Sequence, residues 1–97
     1  MRLDKWLKVS RLIKRRAVAQ MACDQHRVFV NDRPAKSALE LKVSDVVHLE
    51  LGSRALTVEV VRVPDGAVAA QDAADLYRII EEIRRAPEVL EWFPEEE

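Results

Sequence analysis

An α+β fold is predicted: two amphipathic helices, a small sheet, and a C-terminal helix. Three observations predict it. Apolar residues recur at three- and four-residue steps from Leu3 to about Gln25, the period drops to two after His26, and helical spacing returns beyond Pro64-Asp65-Gly66.

The first helix opens at Asp4, well placed as a cap, with Trp6, Leu7, Ser10 and Ile13 on one face. Lys5, Lys8 and Arg11 or Leu12 keep the same step on another. A second helix is expected over about Lys14 to Gln25, burying Ala17, Val18, Met21 and Ala22, with the joint near Leu12–Lys14. Its first turn then holds Lys14, Arg15 and Arg16. Cations there oppose the helix dipole, an effect of about 0.3–1 kcal/mol each. A local rule broken with no structural gain points to function.

After His26, Arg27-Val-Phe-Val30 reads as a strand, Asn31-Asp32 as a two-residue turn and Arg33–Lys36 as its return. Val46–Leu51 alternates, with Val47, Leu49 and Leu51 inward, and Gly52-Ser53 makes the next turn. Ala55–Val63 is a longer run whose inner face is Leu56, Val58 and Val60. Its phase slips at Val60-Val61, where a bulge or a covered second face is expected. The third helix should occupy Gln71 to Arg85, with Ala73, Leu76, Tyr77, Ile80 and Ile83 on one stripe, stopped by Pro87. Val89, Leu90, Trp92 and Phe93 either dock as a short turn or stay mobile.

Charge is segregated along the chain. Residues 1–36 carry a net +7, residues 37–63 a net −1 and residues 64–97 a net −7, inside a total of −1. Polyanion binding follows the local field, so the N-terminal third is the candidate functional surface. Ninety-seven residues, 48% hydrophobic and 34% charged, support one compact domain. No apolar run approaches the roughly 20 residues of a membrane span. Acidic and basic residues interrupt any signal-like apolar core at the N-terminus. A single cysteine excludes an internal disulfide and fits a reducing compartment, so a cytoplasmic protein is expected.

No catalytic set emerges. Cys23 fits a small buried apolar role better than a nucleophile, and His48 a surface or cross-strand one. His26 and His48 are single histidines in different elements, and no Cys/His pairing has metal-ligand spacing. Asp4, Asp24 and Asp45 read as cap, helix-end and turn acids. There is no glycine-rich phosphate loop. No enzyme, metal or cofactor is expected. The basic helix pair suits phosphate instead, because arginine donates paired hydrogen bonds and lysine acts as a point charge. Trp6 fits base stacking or the core, its helical phase favouring the core.

The strings Arg2-Leu-Asp-Lys-Trp-Leu-Lys8, Arg27-Val-Phe-Val-Asn-Asp-Arg-Pro-Ala-Lys36 and Val43-Ser-Asp-Val-Val47 resemble the S-four RNA-binding domain family with its alpha-L motif. The resemblance covers about residues 1–60. It implies two N-terminal helices packed on a small, curved, mostly antiparallel sheet. It also divides the chain into an RNA-binding domain, 1–63, and an acidic C-terminal helix and tail, 64–97. Lys8-Val-Ser-Arg-Leu-Ile-Lys-Arg-Arg16 and Ala73-Ala-Asp-Leu-Tyr-Arg-Ile-Ile80 are similar to short stand-alone members that serve bacterial ribosome quality control. A heat-shock-type relative that binds blocked large subunits is longer and ends in a basic tail.

A monomer off the membrane is expected, and the resemblance implies a place on a large ribosomal subunit left holding peptidyl-tRNA. It would contact large-subunit rRNA and the P-site tRNA while a partner protein adds C-terminal alanine tails. By position, Arg2 and Arg16 match the family's RNA-contacting arginines, with Lys5, Lys8, Arg11, Lys14, Arg15 and Lys36 in support. Where the family usually has glycine, this chain has His26, Asp32 and Ser44, at a cost of about 1 kcal/mol each if left-handed. Asp32 also places a negative charge beside Arg33, against RNA contacts from that turn. A reading of another class is a protein–protein adaptor whose acidic C-terminal helix recruits a basic partner.

Overall fold

A computed structural model describes residues 1–85. Helix α1 spans Leu3–Val9 and α2 Arg16–Asp24. Strands β1 (Val28–Val30), β2 (Arg33–Pro34), β3 (Val46–Glu50), β4 (Arg54–Val60) and β5 (Tyr77–Arg84) form one sheet in the order β2-β1-β3-β4-β5, every pair antiparallel. A 3₁₀ helix, Ala70–Leu76, precedes β5. The α+β class and the two N-terminal helices are as expected.

The two periodicities meet in one core. Leu3, Trp6, Leu7 and Ile13 from the α1 region and Val18, Ala19, Ala22 and Cys23 from α2 pack on Val28, Val30, Val47, Leu49, Leu56, Val58 and Val60. Trp6 is fully buried; its indole N–H donates to the Arg62 carbonyl at 3.0 Å and its ring meets Tyr77 edge-on at 6.5 Å. It is a core residue. On α2 the buried stripe is one residue out of step with the expected one: Ala17 is exposed and Met21 half-buried, while Ala19 and Cys23 lie inside.

Asp4 does not cap α1. The N-cap is Arg2, without a side-chain cap. The first N–H groups are instead satisfied across the molecule, Leu3 by the Leu39 carbonyl at 2.8 Å and Asp4 by that of Ser37 at 3.1 Å. Helix α2 begins at Arg16, with Arg15 as N-cap, so only one of the three clustered cations lies inside the helix.

The predicted glycine-like positions are left-handed: His26 at φ 57°, Asp32 at 68° and Ser44 at 79°. His26 closes α2 in a Schellman arrangement, its N–H to the Cys23 carbonyl and that of Arg27 to Ala22. Asn31, at φ 52°, and Asp32 form the hairpin turn with two positive φ values that suits the twist of β1 and β2. Arg11, at 62°, is left-handed after α1, its N–H donating to the Lys8 carbonyl at 3.0 Å.

The expected third helix, Gln71 to Arg85, is not formed. Only its alanine-rich start turns, as 3₁₀, and residues 77–84 are strand β5, paired to β4 from Val60↔Tyr77 to Arg54↔Arg84. β4 offers a free row of backbone donors and acceptors, and Tyr77, Ile79, Ile80 and Ile83 are residues that suit a strand. The acidic C-terminal helix assigned to 64–97 is therefore corrected: of its described part, residues 70–76 form a 3₁₀ helix and residues 77–84 a strand of the same sheet. The bulge also moves. Thr57 pairs Glu81 and Val58 pairs Ile79, leaving Ile80 as the extra residue, rather than Val60-Val61 on β4. The Val89–Phe93 expectation falls outside the described residues. Among these, no helix is long and apolar enough to cross a membrane.

Candidate nucleic-acid interface

Between the two helices lies a buried carboxylate. Asp4, second residue of α1, has no exposed surface. Its Oδ1 accepts from the Lys5 N–H at 2.8 Å and from Arg2 Nε at 3.2 Å; Oδ2 accepts from Gln20 Nε2 at 2.8 Å and from Arg2 Nη2 at 3.3 Å. Arg16 Nε lies 3.2 Å from Oδ2, an ion-pair distance without hydrogen-bond alignment. Burial by itself raises the Asp4 carboxyl. Gln20, Arg16 and Arg2 together outweigh it and hold the group below its ordinary value, so it stays a carboxylate.

The two arginine side chains remain 45% and 42% exposed. Each turns its Nε side to Asp4, so guanidiniums from the N-cap of α1 and the first residue of α2 converge on one carboxylate. Beside them is an open pocket of about 420 Å³ lined by Met1, Arg2, Lys5, Arg16, Val63, Pro64 and Asp65. Arg2, Lys5 and Arg16, separated in sequence, are thus brought together. Three cations and one acid among the lining residues give the pocket an excess of positive charge, and arginine's fork suits a phosphate.

The other candidates spread outward. Lys8 is exposed in the last turn of α1, Arg11 in the left-handed turn after it, and Lys14 and Arg15 at the entry to α2. They extend the basic face but do not line the pocket. Lys36 belongs elsewhere, in a cleft beside the β1–β2 hairpin. Two members of the site were not found from sequence. Asp4 was read as a cap, although its place between flanking cations was a signal. Gln20 was not singled out, although it lies one helical turn beyond Arg16 on the same face.

The remaining candidates for chemistry are structural. Cys23 is buried, and burial first, then the charges of Asp4 and Asp24, push its thiol up to about 11, which disfavours the nucleophilic thiolate. His48 lies across the β3–β4 ladder, Nδ1 at 2.8 Å from the Thr57 hydroxyl and Nε2 at 2.8 Å from Glu50. That bond from His48 first, and Arg85 next, outweigh burial and hold the Glu50 carboxyl below its ordinary value.

Comparison with known proteins agrees with the fold. Residues 1–47 match the S4 domain. The chain is 49% identical over 84 residues to an RQC P-site tRNA stabilizing factor of Streptococcus pneumoniae, covering 87% of this chain and 94% of that one. It is 43% identical to a protein of the same name from Halalkalibacterium halodurans, covering 84% and 92% of the two chains. Among solved structures, the trimeric heat shock protein 15 of Vibrio cholerae superposes with a TM-score of 0.76 at 29% identity, over 81% of this chain and 80% of that one. The chain belongs to the S4-domain family of RQC P-site tRNA stabilizing factors.

Proposed function

We propose that the chain acts in ribosome-associated quality control, as a cytoplasmic binding protein rather than an enzyme. It binds large-subunit rRNA and the P-site peptidyl-tRNA on stalled, split large subunits, and so supports C-terminal alanine tailing by a partner protein. The observation that carries this reading is the pair of half-exposed guanidiniums, Arg2 and Arg16, fixed to one buried carboxylate at the mouth of a cationic pocket. Structured RNA is recognised largely by shape, phosphate and 2′-hydroxyl, and a rigid pair of phosphate forks on two helices serves that recognition. The names of its relatives supply the ribosomal setting.

A second reading, recycling of blocked large subunits in the manner of heat shock protein 15, is supported by the shared fold. The higher identity to the quality-control factors speaks for the first. An adaptor built on an acidic C-terminal helix loses its basis, because residues 77–84 are a strand of the sheet.

The test is gradient sedimentation with empty large subunits and with subunits retaining peptidyl-tRNA, using the native sequence and Arg16→Glu. Selective binding to the tRNA-bearing subunits, lost in a folded Arg16→Glu, is the expected result. Equal binding to both would reduce the function to general rRNA affinity. Normal association by Arg16→Glu would remove the helix face from the account.

A further inference from the structure

A second cationic surface lies apart from the helix pair. The β1–β2 hairpin and the loop of residues 36–45 enclose an open cleft of about 890 Å³, lined among others by Arg33, Pro34, Lys36, Leu39 and Lys42. It shares no lining residue with the Arg2–Arg16 pocket. Its walls are tied together. Asn31 donates its backbone N–H to the Val46 carbonyl at 2.8 Å, and its side-chain oxygen accepts from the Val46 N–H at 3.0 Å.

The acids of the cleft are committed to that framework. Glu40 pairs with the N-terminal ammonium. Asp45 accepts from the Asn31 amide at 3.1 Å and from the Lys42 N–H at 2.9 Å. Arg33, Lys36 and Lys42 make no ion pair with a described residue, so cations are in excess around a partly apolar surface. Leu39 is 38% exposed and Pro34 is exposed beside it, both able to cover the flat face of a ring. Asp32, the acid that argued against RNA contacts at this turn, is not among the lining residues.

We infer that this cleft is a second RNA-contact site, which takes one unstacked nucleotide of a single-stranded segment. The base lies against Pro34 and Leu39, and its phosphate sits among Arg33, Lys36 and Lys42. Single-stranded RNA presents both features at once, a splayed ring and a phosphate one sugar away. An acidic peptide supplies charge without the flat apolar face. The inference rests on the RNA-binding reading above and extends it: two separate RNA contacts let one small protein hold two RNA segments together.

The experiment is an amide-shift titration of the isotope-labelled full chain with hexauridylate, repeated with hexaglutamate. The expected result is perturbation of Asn31, Leu39 and Asp45 by the RNA and not by the peptide. Shifts confined to α1 and α2 would overturn the cleft and leave the helix face standing; no shifts anywhere would count against both. Equal response to hexaglutamate would overturn the assignment to RNA.

In Arg33→Gln with Lys42→Gln, two exposed positions, the cleft shifts should vanish while those of α1 and α2 remain. The log–log salt slope on hexauridylate should become shallower by about 0.7, the share of the one phosphate held there. An unchanged slope in the folded double variant would overturn the proposal.

Discussion

Asp4 carries more of the site than any cation does. A fully buried carboxylate survives only when donors surround it, and here they come from both helices. Its depressed carboxyl gives a pH dependence with a definite sign. The group contributes stability at pH above its unfolded value near 3.8, and that contribution is lost as pH falls through the lower folded value. Asp4→Asn keeps the shape and removes the charge. Urea unfolding at neutral pH should show a loss of about 1.5–3 kcal/mol, the range for hydrogen bonds to charged groups, since the half-exposed arginines are partly rehydrated. The variant should also lose part of the acid sensitivity; an unchanged stability at pH 7 would mean that Asp4 is a passenger between the helices.

At the scale of elements, β5 decides how the C-terminal third is understood. As an appended helix it would be dispensable to the core. As a strand it closes the free edge of β4, and Leu76, at its entry, is fully buried while its carbonyl accepts from Val61 and Arg62. Leu76→Ala should therefore cost about 2–5 kcal/mol, the range for deleting a buried leucine side chain. A denaturant midpoint within error of the native one would show that β5 is not integral. The strand was hard to read from sequence for a physical reason. Ala73, Leu76, Ile80 and Ile83 keep helical spacing, whereas isoleucine and tyrosine favour a strand, and a long-range partner broke the tie. Ile79, Ile80 and Ile83 remain about half exposed on the edge strand.

At the scale of the molecule, charge segregation persists but changes meaning. Of the −7 beyond residue 63, −5 belongs to residues 86–97, outside the described part. Within β5, Arg78 pairs with Glu59 at 2.8 Å and Glu82 with Arg54 at 3.6 Å, so these charges are used locally. Such surface pairs stabilise by about 0.2–1 kcal/mol at most and serve register more than stability. Among the described residues, the charge excess is that of the N-terminal third. If about five phosphates are neutralised, the log–log slope of affinity against salt should be near −3.5 on single strands and −4.5 on a B-form duplex. A flat response would show that the basic face is incidental.

Much of this protein was legible in its sequence because the signals are local. Periodicity marked both N-terminal helices and the inward faces of β3 and β4. The unusual His26, Asp32 and Ser44 marked backbone positions that are left-handed, and the basic run marked the surface on which Arg2, Lys5 and Arg16 meet. What only the tertiary structure decided depended on partners distant in the chain. Carbonyls of the 37–39 loop serve the start of α1, which frees Asp4 from capping and lets it bind Arg2, Arg16 and Gln20. The open edge of β4 turned a helical spacing into β5. Long-range hydrogen bonds and burial outweighed local preference in both places, because an unpaired backbone group or an unpaired buried charge costs more than propensity returns.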